Sequence, residues 1–236
     1  MPLPKIKYPI NEFTVPSTGK KESFRPFLVK EEKILLMAKS SEDPSDIFRS
    51  VKQIINNCCL NDSFDIDKLT VFDLEYLFLK LRSISVGDVV EVSYRDNDDN
   101  EIYTFEIDLK TIEVQFSEGV EKTIPVTDSV GIVMKWPSAS IFDDKEFLDS
   151  GDQAFYELVI RCIDKIYDED DVFEASDYTQ AELESFLDDC GLKTFEKIQA
   201  FMAKAPRLYH KIEYKNRNGK ERVIELTSLT DFFTLG

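Results

Sequence analysis

Glycine and proline are scarce, 8 and 9 in 236 residues, so long flexible linkers are not expected. Histidine and tryptophan occur once each. His210 follows Tyr209 with no local Ser, Cys or Asp arrangement to make it a general base, so it reads as a structural or surface residue. The four cysteines, Cys58, Cys59, Cys162 and Cys190, form no CxxC pair. A zinc ribbon is therefore not available, and reduced, buried thiols are expected. No apolar run approaches the roughly 20 residues that span a bilayer. The opening, Met1-Pro2-Leu3-Pro4-Lys5, lacks the apolar stretch of a signal peptide, so the protein is expected to stay in the compartment where it is made. No GxGxxG, Walker or GxSxG pattern occurs. No catalytic, cofactor-binding or metal-binding residue is assigned, and no cofactor is expected.

Positive charge is also short. Lys and Arg total 29 against 46 Asp and Glu, a net charge of −17. Such a surface repels phosphates and anionic lipid, which argues against nucleic-acid and membrane partners. It favours solubility and draws basic patches of other proteins toward it. A DNA-mimic inhibitor of a host nucleic-acid enzyme is the alternative that the charge suggests. That role needs carboxylates aligned on one face, and here they are spread over loops and helix starts.

What is present is a globular composition, 42% hydrophobic with 18 Phe. Two distant stretches echo each other. Val89 to Tyr94 and Glu101 to Leu109 flank a polar turn; so do Lys211 to Tyr214 and Glu221 to Leu226. Each follows an apolar helical segment. The pattern predicts an α+β fold of two similar halves, each with helices followed by a small antiparallel hairpin or sheet, preceded by an N-terminal β-hairpin. The expected domains are 1–142 and 143–236.

The N-terminal hairpin is expected over 5–27, turning at Pro16-Ser17-Thr18-Gly19. Helices are predicted for 31–39 and from Pro44, with Asp43 as cap. Another is predicted for 71–83, capped by Thr70 and Asp73 and apolar all round. A second strand pair is expected from 111–116 and 121–126. Residues 127–136 are ambiguous: Thr127 or Asp128 can cap a short helix reaching Trp136, which Pro137 stops. Phe155 to Tyr167 reads as one amphipathic helix. Thr179 and Glu182 form a capping box whose helix Gly191 closes, and 195–203 is the next helix. A last helical turn is expected at 229–233.

Asp96, Asp98 and Asn100 alternate like the start of a calcium loop, but Glu101 replaces the required glycine, and a solvated hairpin turn accounts for them better. Phe24-Arg25-Pro26-Phe27 has two readings. It can anchor a partner, with Arg25 stacking or forking onto a carboxylate. Alternatively, both Phe pack under the hairpin and Arg25 pairs with Glu31 or Glu32. Phe232 and Phe233 carry the same ambiguity.

The segments Lys5-Ile6-Lys7-Tyr8-Pro9, Phe24-Arg25-Pro26-Phe27-Leu28-Val29-Lys30-Glu31-Glu32-Lys33, Ile54-Ile55-Asn56-Asn57-Cys58 and Phe72 to Phe78, with the close at Leu229 to Phe233, resemble the T4-like phage baseplate protein family. The variant is similar to those of marine cyanobacterial phages. The resemblance implies a contractile-tail protein of the baseplate hub or central spike, present in the virion or acting as an assembly factor. It implies other hub or tail proteins as partners, and no catalytic residue. It places the protein in the host cytoplasm during assembly.

Overall fold

The computed structural model describes residues 6–39, 44–148 and 150–232. The chain forms two compact units, 1–115 with 207–236, and 116–206. The fold is α+β with small antiparallel sheets.

Strands β1 (Asn11–Thr14) and β2 (Lys21–Phe24) form the N-terminal hairpin, pairing Asn11 with Phe24 and Thr14 with Lys21. Helices α1 (Val29–Lys39), α2 (Pro44–Cys58) and α3 (Val71–Val86) follow. The cap predicted at Asp43 lies outside the described residues. α2 buries Val51, Ile54, Ile55 and Cys58 completely, as its helical spacing requires. α3 starts on the capping box, Thr70 Oγ1 accepting from the Asp73 N–H and Asp73 Oδ2 from the Thr70 N–H. Leu74, Leu77, Leu79 and Leu81 on α3 are all fully buried, so this helix is central to its unit. Its polar residues reach elements around it. Asp73 Oδ1 accepts from the Ser17 N–H at 2.8 Å, tying the first hairpin turn to the helix start. Glu75 accepts from the Leu229 N–H at 2.9 Å. Lys80 donates to the carbonyls of Lys110 and Ile112, both at 2.9 Å.

Strands β3 (Val89–Arg95) and β4 (Ile102–Asp108) form the expected hairpin, and β5 (Glu113–Gln115) comes next. The second strand pair expected at 111–116 and 121–126 does not form. β5 pairs instead with residues 207–209, putting Val114 opposite the fully buried Leu208. Pairing with this distant strand sets Val114 beside a buried apolar residue.

In the second unit, β6 (Thr123–Pro125), β7 (Val130–Met134), β8 (Ile163–Asp168) and β9 (Asp171–Glu174) make one antiparallel sheet in that order. α4 (Lys145–Leu148) and α5 (Ala154–Arg161) lie between β7 and β8, and α6 (Gln180–Asp188) and α7 (Leu192–Ala203) follow β9. Ile132, Met134, Val159, Ile163, Ile198 and Phe201 belong to one core joining sheet and helices. Trp136 stacks on Phe201 at 4.1 Å.

Two expectations are corrected here, and one ambiguous stretch is decided. Residues 130–134 are a strand, not a helix. Thr127 does accept from the N–H of Ser129 and Val130, but the β-branched run behind it pairs with strands on both sides. The helix expected to Tyr167 ends at Arg161, and Ile163 to Asp168 pair with β7. A short apolar run suits either state, and sheet partners decide it. Gly191 has φ −69° and starts α7; it does not close α6 in the left-handed region. Gly131 has a packing role instead: a Cβ there would lie 2.1 Å from Tyr167 Oη.

The chain then returns to the first unit. β10 (Arg207–Lys215) and β11 (Glu221–Leu226) form the second hairpin, within a three-stranded sheet ordered β11-β10-β5. This hairpin therefore shares a unit with β3 and β4. A 3-10 turn at Leu229–Phe232 is the last described element.

Candidate functional site

Polar chemistry concentrates where the tips of the two echoing hairpins meet. On the β3–β4 tip, Asn100 adopts φ +59° and donates its N–H to the Asp96 carbonyl, while the Asp98 N–H donates to Asp96 Oδ1. These bonds fold residues 96–100 so that three carboxylates face one way. On the β10–β11 tip, Gly219 at φ +79° lets the chain turn back, and the Asn216 side chain accepts from the Lys220 N–H.

The tips are complementary. Tyr214 Oη donates to Asp96 Oδ2 at 2.5 Å, and Arg222 Nε donates to the same oxygen at 3.1 Å. Asp98 Oδ2 accepts from the side chains of Asn216 and Asn218, both at 2.9 Å, and Lys220 pairs with Asp98 Oδ1. Asp99 Oδ2 accepts from Tyr103 Oη and from the Arg217 N–H. Arg217 also pairs with Glu101. The ring of Tyr214 packs between Tyr103 and Phe105, with centroids at 4.8 and 5.2 Å.

Lys220 first, then Asn218 and Asn216, hold the Asp98 carboxyl well below the usual carboxylate range. For Asp96, burial pushes upward, but the Tyr214 hydroxyl, the Asp98 N–H and Arg222 outweigh it and the net direction is down. Asp99 behaves likewise, its burial outweighed by Tyr103, Glu101 and Arg217. Burial and Asp96 push Tyr214 up to about 12.

The expected solvated turn is therefore corrected: Asp96 is fully buried, and the alternating acids hold amides and cations of the other hairpin. Among the described residues, no group of three His, Cys, Asp or Glu side chains is arranged to hold a metal ion. The arrangement fixes two hairpins to each other. Sequence reasoning found both hairpins but not Asn216, Arg217, Lys220 and Arg222 as partners of the acids. The reversed charge of the two turns was the available signal.

Phe24 is fully buried against Phe13 and Phe64. Arg25 forks onto Glu31, Nη2 to Oε1 at 2.9 Å and Nη1 to Oε2 at 3.2 Å, and also donates to the carbonyls of Pro26 and Asn57. For the fully buried Glu31, burial pushes the carboxyl up, but Arg25 and the Leu28 N–H bring it below its ordinary value. Pro26 is buried, and half-buried Phe27 packs on Phe78 at 5.5 Å. Phe232 is buried, and Phe233 lies outside the described residues. The geometry is that of the packing reading, in which Arg25 pairs with Glu31.

His210 lies on β10 opposite Leu226, half-buried, and burial depresses its pKa. The cysteines are free, and burial pushes the thiols of Cys58 and Cys162 up to about 11 and about 12, away from nucleophilic use. No helix among the described residues is long and apolar enough to cross a membrane.

Residues 8–234 match the family model described as T4 bacteriophage base plate protein. No curated protein and no solved structure matches the chain.

Proposed function

Because the chain belongs to the T4 bacteriophage base plate protein family, we propose that it forms or helps assemble the hub of a contractile-tail baseplate. It works by protein–protein binding, without catalysing a reaction. The observation that carries this reading is the family match, which spans residues 8–234 and so includes both units.

The chemistry of the hairpin junction supports it. Asp96, Asp98 and Asp99 are committed to fixed partners and hold a shape. A rigid surface loses less freedom on association, so more of its contact energy appears as affinity. In this reading Phe24, Arg25, Pro26 and Phe27 serve binding by holding the N-terminal hairpin and α1 in place, and Phe232 serves it from its buried place in the closing 3-10 turn. The partners are other hub or tail proteins, met in the host cytoplasm during assembly.

Co-expression with the tail proteins of the same phage, followed by size-exclusion chromatography, tests the reading. A stable stoichiometric complex with a hub or tail component is expected. Migration as a lone species with every tail protein, together with absence of tail partners in pull-downs from infected cells, would overturn it. Mass spectrometry of purified virions separates a building block from a transient assembly factor.

A further inference from the structure

β9 (Asp171–Glu174) is the outer strand of the second unit's sheet, and all four of its residues are exposed. Its outer edge has no strand beside it among the described residues. Natural edge strands are usually blunted by shortness, charged side chains, bulges or a covering element. β9 is short and ends on Asp171 and Glu174, but between them it presents Val172 at 60% exposure and Phe173 at 37%.

Phe173 also lines a cleft of about 400 Å³ beside the strand. Ile166, Tyr178, Leu183 and Phe186 form its apolar wall, and Asp168 and Glu182 are its acidic members. Tyr178, 41% exposed, meets Phe173 edge-on at 6.4 Å. The groove is thus apolar at its base and negative beside it.

The β8–β9 turn adds to that charge. Asp168, Glu169, Asp170 and Asp171 are consecutive, and Asp168 stands directly opposite Asp171 in the register. Like charges directly opposite each other are unfavourable. Glu169 adopts φ +51°, where turns of this kind ordinarily use Asn or Gly. The one cation on the two strands, Lys165, is held by Glu174 at 2.8 Å. The turn is therefore left with acids in excess, beside an open strand edge and an apolar cleft.

We infer that β9 and this cleft receive an extended basic–apolar segment of another tail protein, added as a strand beside β9. Backbone hydrogen bonds to β9 would supply the pairing. Alternate side chains of the added strand face the cleft, since side chains alternate across a strand. Its Lys or Arg residues meet the 168–171 acids and Glu182. A second copy of this chain fits poorly, because it brings the same acids to the same place. The inference rests on the binding function proposed above and names the surface and the chemistry of the partner.

The test uses the full chain and three labelled octapeptides. One alternates Lys and Val, one alternates Glu and Val, and one is the Lys-Val peptide with alternate backbone amides N-methylated. Fluorescence anisotropy reads affinity, and amide NMR shifts locate the contact. The Lys-Val peptide is expected to bind with shifts centred on 171–174, while the other two bind at least about tenfold more weakly. Asp170→Lys and Val172→Pro are each expected to weaken it about tenfold. Phe173→Ser, which leaves charge and backbone unchanged, is expected to weaken it as well.

Shifts scattered over the acidic surface, equal binding of the N-methylated peptide, or no effect of Phe173→Ser would each overturn the inference. So would self-association abolished by Val172→Pro, which would assign the edge to a second copy. A tail complex that survives all three substitutions sinks this surface but leaves the binding function standing. A wild-type chain that binds no tail protein sinks the function itself, and the peptide result still judges the surface.

Discussion

The hydroxyl of Tyr214 donates a 2.5 Å hydrogen bond to the buried carboxylate of Asp96, 118 residues earlier in the chain. That bond joins the tips of two hairpins which the sequence separates by the whole of residues 116–206.

Replacing Tyr214 by Phe keeps the ring packing on Tyr103 and Phe105 and removes this one donor. A loss of about 1.5–3 kcal/mol is expected, the range for a hydrogen bond to a charged group. Urea denaturation checks it. An unchanged midpoint would mean that Arg222 and the Asp98 N–H suffice for Asp96.

The tip junction should open in acid. Asp96, Asp98 and Asp99 have folded pKa values below their unfolded ones. Their contribution is fully present above the unfolded carboxylate value of about 4 and is lost as pH falls below it toward the folded values. Amide exchange of residues 96–101 and 216–220 should accelerate together over that fall. In Asp98→Asn the acid-dependent step should be smaller. Independent opening of the two tips would contradict the junction.

Glu75 has the opposite sign. Burial pushes its carboxyl up to about 7, with the Leu229 N–H opposing and Asp231 adding repulsion. A folded pKa above the unfolded one means that stability declines as pH rises from about 4 through about 7. Glu75→Gln keeps an acceptor for Leu229 and removes the charge. The variant should be more stable than the wild type by about 3 kcal/mol above neutral pH, with little difference near the acid end of that range. Thermal melts across pH read this directly, and a constant difference at every pH would refute it.

Gly131→Ala places a methyl 2.1 Å from Tyr167 Oη and 2.2 Å from Cζ, on the strand directly opposite. Overpacking of this kind typically costs about 1–3 kcal/mol. Adding Tyr167→Ala should remove the clash, so the double variant should lose less than the two single losses combined. Strict additivity would show that the ring moves aside freely.

Much of the fold was readable because its causes are local. The capping boxes at Thr70–Asp73 and Thr179–Glu182 need only residues three apart. The all-round apolar pattern of 71–83 marks a buried helix whatever surrounds it. Both echoing hairpins carry their turns and alternating strands in one short stretch. The resemblance to phage baseplate proteins also rested on sequence alone.

Other features depend on partners that no local window contains. Residues 130–134 and 163–168 become strands because each finds the other, and 113–115 pairs only with 207–209. Burial at Phe24 and the Arg25–Glu31 fork required the packed N-terminal hairpin and α1. The acids at 96–99 look solvated until the cations at 217, 220 and 222 are brought against them. The capping boxes at Thr70–Asp73 and Thr179–Glu182 are set by neighbours a few bonds away, so the sequence by itself determined them. Strand pairing and the burial of charge are set by groups far along the chain, so only the tertiary structure decided them.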